Sequence, residues 1–147
     1  MATRLAELLD EFEVRSFPEG TRTAEDAARA IGCSIGQIVK SLVFVAAGRP
    51  VVALVSGANR LDTDRLGKLA GEPVVKADAE TTRSATGYAI GGVPPFGHAQ
   101  PLSVFVDRDL LGYAVVWAAA GRPDSVFALT PARLLEISGG TAADLKA

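Results

Sequence analysis

At 147 residues, 48% of them hydrophobic and 22% charged, the chain has the makeup of one ordinary globular domain. Its net charge of −2 excludes a protein that coats nucleic acid by bulk electrostatics, though not one that grips a strand end through a local basic patch. Candidates for such a patch are scattered: Arg15, Arg22, Arg60, Arg65, Lys68 and Lys76. The longest apolar run, Tyr113 to Ala120, is far short of the roughly 18 residues that suggest a membrane span. The first residues lead into a charged amphipathic segment rather than a signal-peptide core, and the lone Cys33 cannot form an internal disulfide. A cytoplasmic protein without membrane contact is the expectation.

Leu5, Leu8, Leu9 and Phe12 recur at helical spacing and predict an amphipathic helix near residues 3–12. A short strand over Val14 to Phe17 follows, ended by Pro18. Thr23 and Asp26 resemble a capping box ahead of a helix from Ala24 to Ile31 that Gly32 closes, and Ser34 can cap a further turn. The β-branched runs Val39 to Ala46 and Pro50 to Ser56 read as a hairpin about Gly48-Arg49. Asp62 caps a helix to Ala70 with Gly71 as its stop, Val74 to Lys76 is extended, and Asp78 caps a helix toward Ala85. Residues 86–101 are too rich in glycine and proline for a helix or central strand. Strand patterns return at Leu102 to Val106, Tyr113 to Ala118 and Val126 to Leu129. Pro131 opens a last helix, Ala132 to Ile137, with Gly139 beyond it. Hairpins mixed with helices predict an α+β domain, a mixed and partly barrel-like sheet flanked by helices.

Several kinds of chemistry can be set aside. One Cys and one His cannot make a normal zinc site, and no phosphate loop, dinucleotide fingerprint or serine-hydrolase elbow is present. Cys33 and His98 are conceivable as a nucleophile and base, but Cys33 follows a helix-ending glycine and reads better as a packed thiol.

Two features stand out. Lys40 opens a strand that is apolar on both faces, so it must snorkel from the strand end or point into a polar pocket. The stretch Gly91-Gly92-Val93-Pro94-Pro95-Phe96-Gly97 combines flexible glycines with stiffening prolines. It is either a structural turn or a rigid cradle whose Gly92 and Val93 amides hold a carbonyl or oxyanion.

The residues Gln37-Ile38-Val39-Lys40-Ser41-Leu42-Val43-Phe44 resemble the lysine strand of the YbaK-like editing domains associated with prolyl-tRNA synthetase. Val55-Ser56-Gly57-Ala58-Asn59-Arg60-Leu61-Asp62, Thr86-Gly87-Tyr88 with the Gly91–Gly97 stretch, and Leu129-Thr130-Pro131 with Leu134 are similar to further segments of that family. The likeness runs from about Thr23 to the last helix. It implies a single editing domain over residues 1–147, with 1–22 as a helical lead-in and 23–140 as the core.

The resemblance further implies a pocket for the aminoacylated 3′ end of a tRNA, with Lys40, Gly91 and Gly92 at the chemistry. Asn59, Arg60, Val93, Pro94, Pro95, Phe96, Ala119 and Gly121 are then the expected substrate contacts. The implied reaction is hydrolysis of a wrong amino acid (alanine, cysteine, serine or threonine) from tRNA-Pro or a related tRNA, with no cofactor and no metal. A synthetase partner and a monomer or homodimer are compatible with it. A lysine near its ordinary pKa of about 10.4 suits charge stabilisation better than general-base work. Relatives place a Ser or His near Ala119; an alanine there cannot hydrogen-bond a substrate side chain, which leaves the amino acid open. A non-catalytic tRNA-end binding module and a small-molecule aminoacyl esterase are the rival readings.

Overall fold

A computed structural model describes residues 9–17 and 23–147. The predicted N-terminal helix, Pro18 and Arg22 lie largely or wholly outside these residues; Leu9, at the end of that helix, is helical. Among these residues eight strands form two sheets. β1 (Val14–Ser16), β7 (Ser125–Leu129) and β6 (Val116–Ala119) make an antiparallel three-stranded sheet in the order β1-β7-β6. The five-stranded sheet has the order β4-β2-β3-β5-β8, from β4 (Val74–Lys76), β2 (Val39–Ala46), β3 (Arg49–Ser56), β5 (Ser103–Asp107) and β8 (Thr141–Ala143). Its β4-β2-β3 part is antiparallel, whereas β3-β5 and β5-β8 are parallel. The sheets meet at a parallel bridge between Ile38 and Trp117. The expected partial barrel therefore takes the form of two separate sheets meeting at an edge, because the strands at the far edges are short and do not pair with one another among the described residues.

Local chemistry sets the element ends. The β2–β3 hairpin turns through Ala47 and Gly48, both at positive φ (49° and 81°), the conformation a two-residue turn needs to match strand twist. The helices are α1 (Ala24–Ile31), α2 (Thr63–Ala70), α3 (Ala79–Thr86) and α4 (Pro131–Ser138). Thr23, Asp62, Asp78 and Thr130 cap their N-termini through side-chain oxygens that accept backbone N–H groups. Gly32, Gly71, Gly87 and Gly139 end them in the left-handed region. The Gln37 carboxamide accepts from Ser34 N and Oγ and closes the short turn Ile35–Gln37 ahead of β2.

The main core lies between the sheets, where Val43, Val52, Leu54, Val104 and Val106 meet Val116, Phe127 and Leu129. Phe127 packs on Phe12 and Phe96 with ring centroids 5.1 and 5.7 Å away. On the opposite face of the large sheet, Phe44, Ala53 and Val55 pack with Leu66 of α2 and Leu145. A third cluster joins Ala27 and Ala28 of α1 to Ile38, Trp117 and Val126, so α1 covers the seam between the sheets.

Candidate active site

That seam opens into a cleft of about 460 Å³. Its walls are α1 (Ala24, Ala27), the start of β2 (Ile38 to Leu42), Ile90, Gly91 and Val93 at the glycine-proline loop, and β6 with the β6–β7 turn (Trp117 to Ala119, Pro123, Ser125). The volume lies within the roughly 300–1,000 Å³ typical of small-ligand sites, and the lining is mostly apolar.

Lys40 supplies the cation. It pairs in register with Val55, so its side chain reaches past the end of β3 to the loop beyond, and Nζ donates to the Asn59 carbonyl at 2.7 Å. The residue is half-buried. Burial pulls its ammonium below the ordinary lysine range, and the charge of Asp107 opposes that fall. Of the two outcomes open for this lysine, the polar partner at the strand end is the one found.

The Asn59 side chain does not face the cleft. Its Nδ2 donates to Asp107 Oδ2 and to Asp109 Oδ2, both at 2.8 Å. Asp107 is buried and also accepts from the Ser56 and Asp109 amides. Gly57 lies between these groups and the cleft; a Cβ there would sit 2.4 Å from the Ile35 carbonyl, so the close approach of the two segments requires glycine.

The glycine-proline loop stands opposite. Gly91 (φ 90°) and Val93 line the cleft, while Gly92 is buried against the Arg122–Pro123 backbone. The Gly92 amide, one of two expected to face a substrate, donates instead to the Ala89 carbonyl at 2.9 Å. The Val93 amide has no acceptor among the described residues. Pro94, Pro95 and Phe96 are buried behind the loop, and Phe96 belongs to the main core. His98 latches the loop through its Nε2–H, and burial lowers its pKa despite that bond.

The structure thus brings Lys40, Gly91, Val93 and Ala119 to one cleft. Arg60 is exposed, and Gly121 sits in the β6–β7 turn at φ 95°. Arg15 stacks over Trp117 at 4.8 Å and pairs with Glu13; Arg65 pairs with Asp62 and Asp144. Cys33 packs with the α1 cluster, where burial pushes its thiol pKa up, and it does not meet His98. Sequence reasoning missed Asp107, and it missed two hydroxyl-bearing residues of the cleft wall, Ser41 and Ser125. Ser41 Oγ is buried without a hydrogen-bond partner among the described residues. Among those residues no three His, Cys, Asp or Glu side chains gather as a metal site, and no helix is long and apolar enough to cross a membrane.

An α+β domain with one cation at the edge of a small apolar cleft is suited to hold a small group carried by a larger polar ligand. The chain belongs to the aminoacyl-tRNA editing domain family, whose model matches residues 18–137. It is 30% identical over 135 residues to EbsC of Enterococcus faecalis, provisionally named a Cys-tRNA(Pro)/Cys-tRNA(Cys) deacylase, with 88% of this chain and 80% of that protein covered. Against the proline–tRNA ligase of Elusimicrobium minutum it is 32% identical over 95% of its own length, which is 25% of the ligase. A crystal structure provisionally described as a trans-editing enzyme for prolyl-tRNA synthetase superposes with a TM-score of 0.93 at 48% identity, covering 99% of this chain and 96% of that one.

Proposed function

We propose that the protein is a trans-acting deacylase that hydrolyses the ester of mischarged tRNA, with tRNA-Pro bearing a small wrong amino acid as its substrate. The observation that carries this reading is that Lys40, whose Nζ donates to the Asn59 carbonyl, and Val93, whose amide has no acceptor among the described residues, line one small apolar cleft. The aminoacyl group enters the cleft against Ala118 and Ala119, and the terminal nucleotide lies toward Lys40. Water attacks the ester carbonyl, and the bond to the ribose oxygen breaks. The free amino acid leaves, and the ribose oxygen takes up a proton to become the tRNA hydroxyl. The Val93 amide and the Lys40 ammonium face the charge that develops in this step. A base is not needed from Lys40; the substrate's own vicinal ribose hydroxyl can orient the water. The prolyl-tRNA synthetase domains among its relatives support a cytoplasmic role beside that synthetase.

A panel of tRNAs mischarged with alanine, cysteine, serine and threonine, run beside free aminoacyl esters, tests the reading. Release from tRNA that Lys40→Ala abolishes is the expected result. Release from free esters at the same rate would point to a general esterase, and tight binding without release to a tRNA-end binding module.

A further inference from the structure

Lys40 holds its position through a chain of contacts that ends in the protein interior. Its Nζ donates to the Asn59 carbonyl, and the Asn59 amide donates to Asp107. Asp107 is 1% exposed and lies at the end of β5, beside β3 in the large sheet. A buried carboxylate is expensive unless several donors meet it. Here three do: the Ser56 N–H at 3.1 Å, Asn59 Nδ2 at 2.8 Å and the Asp109 N–H at 3.0 Å. Two of the three belong to the segment that presents the carbonyl to Lys40. That segment is fixed further by the Asn59 N–H on the Ser56 carbonyl (2.9 Å) and the Gly57 N–H on the Ile38 carbonyl (2.7 Å). On its far side, Asp62 N donates to the Leu145 carbonyl.

We infer that Asp107 is the positioning residue of the site: its buried carboxylate holds Asn59, and through Asn59 it fixes the carbonyl that aims the Lys40 ammonium at the cleft. Asp107 touches no substrate; its effect reaches the reaction through Lys40, so the role rests on the deacylase reading for its kinetic arm alone. The charged groups around Lys40 are few. Asp107 and Asp109 lie behind the loop, Arg60 lies within it, and Glu25 lines the cleft from α1. Asp109 accepts from the same Asn59 amide but is exposed, so solvent can replace it. Asp107, being buried, has no such substitute.

The test uses the full chain with Asp107→Asn, Asn59→Ala and Asp109→Asn. The sequence holds four lysines, so Lys40 is assigned in ¹³C-lysine NMR spectra by its loss in Lys40→Arg. In Asp107→Asn the Lys40 signal is expected to titrate at lower pH than in the wild type, with the other three lysines unmoved. Its kcat on mischarged tRNA is expected to fall by about 10- to 100-fold with KM within about threefold, the signature of a misplaced group rather than lost binding. Asp109→Asn should stay within about threefold in both constants. A folded Asp107→Asn protein with wild-type Lys40 titration and wild-type kcat overturns the role. Should Asp107→Asn not fold, Asn59→Ala decides. It removes the link while leaving Asp107 its two backbone donors, and an unchanged kcat and Lys40 titration there overturns the role equally. A wild type that deacylates nothing would sink the deacylase reading; the Lys40 titration in Asn59→Ala, which keeps the charge of Asp107, would still decide the positioning.

Discussion

The Nε2–H of His98 donates to the carbonyl of Pro94 at 2.7 Å, and this bond draws the end of the glycine-proline loop back onto its prolines. Burial holds the imidazole pKa below its ordinary value of about 6.5. The unfolded chain therefore binds more protons than the folded one between the two pKa values, and stability rises with pH across that window. Read downward, stability is lost as pH falls below about 6.5 toward the folded pKa. His98→Gln, which keeps a side-chain donor without the titration, is expected to flatten the difference in melting temperature between pH 7 and pH 5. Thermal melts of both proteins across that range check it.

Gly92 packs where a Cβ would meet the Arg122 carbonyl carbon at 3.0 Å and Pro123 N at 3.1 Å. Both contacts are backbone, so neither can swing aside as a flexible side chain would. Gly92→Ala is expected to part the loop from the β6–β7 turn, cost about 1–3 kcal/mol of stability and widen the cleft. Urea titration measures the first effect. The second should appear as lower activity with little change in the far-UV spectrum.

Much of this architecture was legible in the sequence because it rests on short-range chemistry. Capping residues such as Asp62 and Asp78, the glycine stops Gly32, Gly71 and Gly139 and the β-branched runs of β2 and β3 act within a few positions of themselves. β8 was not legible: Thr141–Ala143 is short and poor in strand formers, and it is a strand through parallel pairing with β5, far off in sequence. At the site, Lys40 and the glycine-proline loop showed as departures from local pattern. Asp107 did not, since an aspartate closing an apolar strand reads as an ordinary surface turn. Its weight comes from Ser56 and Asn59, 51 and 48 residues away. The bond of the Gly92 amide to Ala89 is illegible for a related reason, because a turn bond leaves no trace in composition.

Lys40 should cost stability. Its folded pKa lies below the ordinary lysine value of about 10.4, so the unfolded chain binds the proton more tightly. The penalty is fully present below the folded pKa, and it fades as pH rises from there toward about 10.4. Lys40→Met is expected to melt no lower than the wild type at pH 7, and up to about 2 °C higher, while losing deacylation. That advantage should shrink as pH rises from the folded pKa toward about 10.4. Following the difference between the two proteins, rather than either alone, removes the contribution of other groups such as Tyr88.

Leu145 is fully buried against Phe44, Ala53 and Leu66, and its carbonyl accepts from Asp62 N at 2.8 Å. Leu145→Ala is expected to cost about 2–5 kcal/mol through the cavity it leaves. The segment it steadies joins the Asn59 loop to α2, so amide exchange should accelerate over residues 57–62 before it does in β2 or β3. Uniform acceleration across the chain would mean the tail stabilises the whole fold without favouring that loop.

Ala119 is half-buried in the cleft wall, next to Ala118 and facing the space proposed for the amino acid. An alanine offers no hydrogen bond, so selection at this wall works by size, and one methylene is worth only about 1–3 kcal/mol. Ala119→Val narrows the cleft at that point. On the deacylase reading, kcat/KM for threonyl- and cysteinyl-tRNA should fall by about 10- to 200-fold relative to alanyl-tRNA, the range that one methylene commands. Ala119→Ser changes the volume little and adds a hydroxyl, so it should shift preference toward serine without that size penalty. Both variants leave the Lys40 and Val93 contacts in place, and a uniform loss across all four substrates would place the amino acid elsewhere in the cleft.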